Sequence, residues 1–238
     1  MTEWALKRFW TEAGIDAAEG GYAVLLDGRP VKTPAKMPLV VPTRAMAEAI
    51  ALEWDAQDAQ VAPLTMPVTR AANAAIDKVR VQRAEVAELI AAYGESDLLC
   101  HRAESPPALA RRQAAAWDPL LAWAAEALGA PLTPTVGVIP MRQPAESLAR
   151  LRARVAGFDP FELTALHDLV GLSGSLVIGL AAAETVETPE RLWDLSRIDE
   201  TWQEEQWGSD AEAAEAAAAR RRDFLQARRF LDLSRASR

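Results

Sequence analysis

The chain has 238 residues, half of them hydrophobic, enough for one large domain or two small ones around a sizeable core. Its formal net charge of −8 argues against general nucleic-acid binding, which needs a cationic footprint, and suits a partner with a basic patch. The single cysteine, Cys100, rules out an intrachain disulfide and points to a reducing compartment.

The Met-Thr-Glu-Trp start reads as no secretory leader, because an acid stands where a basic region belongs. No Arg- and Ser-rich transit segment is read before the first strand, so a cytoplasmic location is expected. Arg8-Phe9-Trp10-Thr11 reads as a strand, Gly20-Gly21 as a turn, and Tyr22 to Leu26 as a clearer strand. Asp27-Gly28 is a hairpin signal, because a tight turn with positive φ favours Asp-Gly. The chain returns through Val31-Lys32-Thr33, and Leu39-Val40-Val41 is a further short strand. Three or four short strands cannot bury both faces of a sheet and must lean on helices. Pro30, Pro34, Pro38 and Pro42 keep this region in pieces too short for a helix.

At Thr43 the punctuation stops. A helix is expected over Arg44 to Gln57, with Thr43 as N-cap and Met46, Ala49, Ile50 and Trp54 on one apolar face. A second runs from Val68 to Tyr93 and ends at Gly94. Pro106-Pro107 opens a third through Leu128, stopped by Gly129, with a kink or new start at Pro119. Leu132 to Met141 is irregular. Further helices open at Pro144, at Asp159-Pro160 with Glu162 completing a capping box, at Thr188-Pro189, and at Ser209 with Glu212. The last spans Asp210 to about Leu233. The apolar run Leu169 to Ala183 is interrupted by Ser173, Gly174 and Ser175. It is shorter than the ~20 residues of a membrane span. It reads as a buried helix, and no membrane insertion is expected. The fold class is α+β: residues 1–62 form a small α/β domain of β-hairpins plus one helix, and 63–238 a multihelical domain.

Several stretches carry a family likeness. Leu26-Asp27-Gly28-Arg29-Pro30-Val31-Lys32-Thr33-Pro34-Ala35 is followed by Glu53-Trp54-Asp55-Ala56-Gln57 and Met66-Pro67-Val68-Thr69-Arg70-Ala71-Ala72-Asn73. Then come Asp97-Leu98-Leu99-Cys100, Trp117-Asp118-Pro119-Leu120-Leu121 and Trp202-Gln203-Glu204-Glu205-Gln206-Trp207-Gly208. In this order, from about Arg8 to about Leu233, they resemble the assembly-chaperone family of the F-type ATP synthase. The resemblance is to the member that handles the α subunit of the catalytic head. It implies a small α/β region followed by a helical region, and transient binding of the free α subunit. With no transit segment read and Arg favoured over Lys, a bacterial member is indicated.

The chemistry-bearing residues are sparse. Cys100 and His101, with Asp97 nearby, could form a nucleophile pair in a small hydrolase or transferase. Adjacent residues on a helix point about 100° apart, though, which suits a buried Cys beside a surface His better. A zinc site would need more ligands at recognisable spacing. His167-Asp168 reads the same way. There is no Gly-x-Ser-x-Gly frame and no phosphate loop, so no cofactor is expected. Gly171, Gly174 and Gly179 are read as places where helices approach closely or kink. The run Arg220-Arg221-Arg222 lacks interleaved aromatics and is not read as a nucleic-acid site.

The charge pattern near the C-terminus is more informative. Glu187 to Glu215 carries a net charge of −8, and Ala216 to Arg238 one of +5. These are solvated helix faces or a dipolar docking surface. Leu195, Ile198 and Trp202 lie on one stripe, which Glu205 continues; a carboxylate there must find a cation or a donor, or sit at an interface. By the resemblance, partner contacts fall on Asp199, Glu200, Trp202, Gln203, Glu205 and Trp207, with the tryptophans as anchors. Ordinary helix packing, or an adaptor for some other complex, would use the same residues.

Overall fold

Asp27 (φ 47°) and Gly28 (φ 75°) both occupy the left-handed region, the geometry of a two-residue hairpin turn. In the computed structural model, which describes residues 7–137 and 141–237, this turn joins β2 (Gly21–Leu26) to β3 (Arg29–Pro30), with Leu26 opposite Arg29. β2 is the hub of an antiparallel four-stranded sheet. It also pairs with β1 (Ala13–Ala18), through the turn at Gly20, and with β4 (Val40–Val41).

The first strand is not where composition places it. Arg8-Phe9-Trp10-Thr11 makes no ladder; only Lys7 bridges, to Gln60. The Arg8 guanidinium donates to the carbonyls of Trp10, Thr11 and Asp55, which holds this stretch out of the sheet. The sheet instead takes Ala-Gly-Ile-Asp-Ala-Ala, a poor strand former locally. The hairpin register and a bond from the Ala13 N–H to the Asp55 carboxylate hold it in place.

α1 (Arg44–Asp55) lies against β1 and β2. Thr43 caps it as expected: its hydroxyl oxygen accepts from the Met46 N–H at 3.1 Å and the hydroxyl donates to the Leu233 carbonyl. Met46, Ala47 and Ile50 are fully buried with Val24 and Val41. A buried Met, Ile or Val side chain is worth about 1.5–3 kcal/mol. The end of α1 then organises the connector and the helix beyond it. Glu53 accepts from the Val68 and Thr69 N–H groups, both at 2.8 Å, and from the Thr69 hydroxyl. It caps α2 (Pro67–Ala74) from outside, where a carboxylate also suits the helix dipole. Gln57 ties the connector through the Ala62 N–H and Thr65 Oγ1. Two of the family-like stretches, Glu53 to Gln57 and Met66 to Asn73, are thus the two halves of one clamp.

The expected single helix from Val68 to Tyr93 is divided. After α2 the chain widens into a π turn (Ala75–Val79), in which the Arg80 N–H donates to the Ala75 carbonyl. Asp77 on that turn is engaged by Thr33 Oγ1 and the Ala35 N–H. The chain re-forms as α3 (Arg83–Ala91) and tightens into a 3-10 turn, Ala92–Ser96.

β5 (His101–Arg102) pairs in parallel with β6 (Thr135–Val136), a small pairing inside the stretch expected to be irregular. Residues 138–140 of that stretch lie outside the described residues. α4 (Pro107–Ala127) runs through Pro119 without a new start. α5 (Ala145–Ala156) and α6 (Pro160–Ser173) open where expected. At α6 the Asp159 carboxylate accepts from Phe161 and Glu162 N–H while Glu162 accepts from the Asp159 N–H, a full capping box.

The run read as one buried helix is broken at Gly174-Ser175, where Ser175 caps α7 (Leu176–Ala183). Every residue of α7 is buried. Gly179 permits this: a Cβ there would lie 2.4 Å from Val170 Cγ2. α8 (Pro189–Ser196) and α9 (Ile198–Trp207) are separate helices, because Arg197 (φ −113°, ψ 19°) leaves helical geometry between them. α10 (Ala211–Arg235) is capped by Asp210, whose carboxylate accepts from the Ala213 N–H, and not by Ser209.

The class is α+β, as expected, with short antiparallel strands at the N-terminus and helices beyond. The chain forms two compact units. One takes the chain through Arg83, Asp159–Ala165 and the stretch from Arg229; the other takes Ala84–Phe158 and Leu166–Arg228. No helix among the described residues is long and apolar enough to cross a membrane.

Candidate docking face on the acidic helix

α9 starts from a buried foothold. Ile198 is buried, and the carbonyl of Leu195, at the end of α8, accepts from Trp117 Nε1 of α4 at 2.7 Å. Trp117 is wholly buried, so this bond satisfies its one polar atom. Arg197 stacks over the Trp193 ring and pairs with Glu200 at 2.8 Å. The stripe expected to join Leu195, Ile198 and Trp202 along one helix is therefore assembled from two.

Two polar ties then hold α9 to α4. Asp199 Oδ1 accepts from Gln113 Nε2 at 2.6 Å, while Gln113, itself buried, accepts the Ala103 N–H on its Oε1. Glu205 Oε2 accepts from Arg112 Nη1, also at 2.6 Å. The hydrogen bond from Arg112 holds the Glu205 carboxyl below its ordinary value, and the same bond raises the guanidinium. Arg112 is the cation that this carboxylate's place on the stripe calls for. Arg112 and Gln113 gave no local signal, since they lie 93 and 86 residues away from their partners.

The six residues indicated as partner contacts thus divide. Asp199 and Glu205 are tied to α4, and Glu200 to Arg197. Trp202 is half-buried. Gln203 is exposed, and Trp207, the last residue of α9, is 79% exposed. Near Trp207 in sequence, Glu204, Asp210, Glu212 and Glu215 are exposed as well. A large aromatic left in water amid carboxylates is a docking composition.

The rival site has a different character. Cys100 is buried, and burial, followed by the charge of Asp97, pushes its thiol up to about 12. At neutral pH it offers no thiolate to attack a substrate. Asp97 is fully buried and structural. It accepts from the Leu99 N–H, the Ser175 hydroxyl and the Val177 N–H, which fixes the 3-10 turn Leu98–Cys100 to the start of α7. His101 sits on β5 opposite Thr135. His167 and Asp168 pair at 2.9 Å on an exposed face, and that bond raises the imidazole. Arg220, Arg221 and Arg222 are exposed on α10. Among the described residues, no three of His, Cys, Asp or Glu gather as metal ligands.

A sequence model described as ATP12 chaperone protein matches residues 7–125, half of the chain. The chain belongs to the ATP12 chaperone family. The crystal structure of Atp12 from Paracoccus denitrificans is 52% identical and superposes with a TM-score of 0.94, covering 98% of this chain and all of that one. The Atu1473 protein of Agrobacterium tumefaciens is 44% identical, with a TM-score of 0.91, over 95% of this chain and 85% of that one. The mitochondrial protein atp12 of Schizosaccharomyces pombe is 25% identical over 223 residues, 89% of this chain and 77% of the relative. ATP12-family likeness thus runs through both the sheet region and the helical region. Arg112 and Gln113 of α4 fall inside the matched interval; α9 lies beyond it.

Proposed function

We propose that this chain binds the unassembled α subunit of the F-type ATP synthase head and covers its subunit interface until the proper neighbour displaces it. ATP12-family membership makes the chain a chaperone of ATP synthase assembly. The α subunit as client, the outer face of α9 as docking surface and the cytoplasm as location are our reading. An unassembled subunit exposes an apolar surface meant for its neighbour, and such a surface aggregates. A protein that covers it without making or breaking a bond needs no nucleotide, because the stronger native contact drives release.

The observation that carries the reading is Trp207, left 79% exposed at the end of a helix otherwise tied to α4. Trp207 and half-buried Trp202 supply the apolar anchor, Gln203 a polar contact, and Asp199, Glu200 and Glu205 the field that attracts a basic patch. The ties of Asp199 and Glu205 to α4 hold the face rigid, which lowers the ordering cost of binding. A catalytic role is disfavoured, because the one nucleophile beside a histidine is buried and protonated.

The test is to purify the tagged chain from its own cells and identify what remains bound by mass spectrometry. Recovery of α subunit free of its β neighbour, lost in Trp207→Ala and Glu205→Lys, is the expected result. Recovery of other proteins only, or of α subunit equally well by both variants, would break the reading.

A further inference from the structure

The first half of α10 is helix with little to lie on. From Asp210 to Asp223 every residue is exposed except Ala217 and Ala219, which are half-buried, and Phe224 is the first fully buried side chain. Alanine, the strongest helix former, fills the positions between the charges, so the stretch holds its helix without burial. Its outer face is formed before anything docks on it.

The charges on this face are left over in a particular pattern. Glu212, Glu215, Arg220, Arg221 and Arg222 make no ion pair or side-chain hydrogen bond among the described residues. Opposite charges meet along a helix at i,i+3 or i,i+4. Ala216 to Ala219 set Glu215 and Arg220 five apart, so the acids and the arginines of one helix miss each other. The helix dipole does not ask for this order either. Acids suit the first turn, but cations suit the last, and Arg220 to Arg222 stand near the middle of α10.

A second copy of the same helix answers the pattern. Two copies laid antiparallel across a two-fold axis near Ala216 to Ala219 set Glu212 and Glu215 of each against Arg220 to Arg222 of the other. The two-fold makes every such pair twice, whereas a parallel arrangement would set acid on acid. The alanines at the axis carry nothing beyond Cβ, so the helices can close to about 8 Å, the short end of helix packing. We propose that this face of α10 pairs two copies of the chain through their opposed acidic and basic blocks. The contact spans about 15 Å of helix, and exposed ion pairs contribute little each, so the pairing is weak and reversible. The net charge of −8 on each copy opposes it little at ~0.1 M salt, where the Debye length is about 10 Å. The proposal stands apart from the client reading.

Sedimentation equilibrium of the full-length chain tests it, over roughly 10 μM to 1 mM, the range in which a weak interface shows. Wild type should rise from monomer mass toward dimer mass, and raising NaCl from about 0.05 to 1 M should weaken the association severalfold. Glu212→Arg with Glu215→Arg leaves the face mainly cationic, and Arg220→Glu with Arg222→Glu leaves it mainly acidic. Each variant alone should associate at least about tenfold more weakly, and an equimolar mixture of the two should recover the association. Recovery on mixing is a readout that a folding defect in either variant would not produce, and circular dichroism checks that both stay helical. Variants that associate as wild type does, association indifferent to salt, or a mixture that stays monomeric would overturn the proposal. So would a wild type that is monomeric throughout; loss of α subunit by both variants in that case would give the face to the client.

Discussion

Replacing Asp97 with Ala removes the acceptor for three donors that have no route to water. The Leu99 N–H lies at 3.0 Å, the Ser175 hydroxyl at 2.7 Å and the Val177 N–H at 3.0 Å, and Asp97 is fully buried. A stranded buried donor costs roughly 1–3 kcal/mol, and partial relaxation keeps three of them from adding fully. The expected loss is about 3–5 kcal/mol, a large share of the roughly 5–15 kcal/mol that holds a domain folded. For a chain of this size that lowers Tm by on the order of 10 °C. Urea titration followed by circular dichroism reads the first number, and calorimetry the second.

Asp97→Asn adds a sign. Burial pushes the Asp97 carboxyl above its ordinary value, with the hydrogen bonds from Ser175, Val177 and Leu99 pulling the other way. The fold therefore holds this proton to higher pH than the unfolded chain does. That contribution is complete below the unfolded value of about 3.9 and is lost as pH rises through the folded one. Relative to Asp97→Asn, which does not titrate, wild type loses stability as pH rises from 4. An Asp97→Ala variant within about 1 kcal/mol of wild type, or a wild-type advantage that grows with pH, would refute the assignment of Asp97 as a structural hub.

Trp207→Ala is expected to change stability by less than about 0.5 kcal/mol, since its side chain is already in water, yet to weaken α-subunit binding about tenfold or more by isothermal titration. Cys100 should resist iodoacetamide in the folded chain at pH 8 and react only on unfolding, because its thiol is buried and pushed up to about 12. Fast alkylation of the native protein, rising between pH 6 and 8, would revive the enzyme reading. Gly179→Ala should cost about 1–3 kcal/mol in urea denaturation despite alanine's better helix propensity. The added Cβ meets Val170 Cγ2 at 2.4 Å and the Val170 backbone nitrogen at 3.3 Å, and a β-branched side chain has little room to turn away.

What the sequence displayed was local chemistry. The Asp27-Gly28 turn, the Thr43 cap and the Asp159-Glu162 capping box are each decided within a few residues, and each formed as written. The close-approach reading of the glycines holds at Gly179. The strand Ala13–Ala18 was hidden because its residues have little strand preference and depend on pairing with β2. The π turn at Ala75–Val79 interrupts a good helical pattern through a contact with the loop at Thr33 and Ala35, far off in sequence. The α8–α9 break at Arg197 carries no Pro or Gly. At the candidate site, an acid on an apolar stripe announced that it needed a partner, but nothing near it could say that Arg112 would serve.

The central claim is that this chain keeps an unassembled α subunit in solution by covering it. Light scattering tests that directly: purified α subunit is diluted from denaturant without nucleotide, alone or with one equivalent of this chain. Scattering should stay near baseline with wild type and rise with Trp207→Ala. Equal aggregation with and without the wild-type chain would contradict the account.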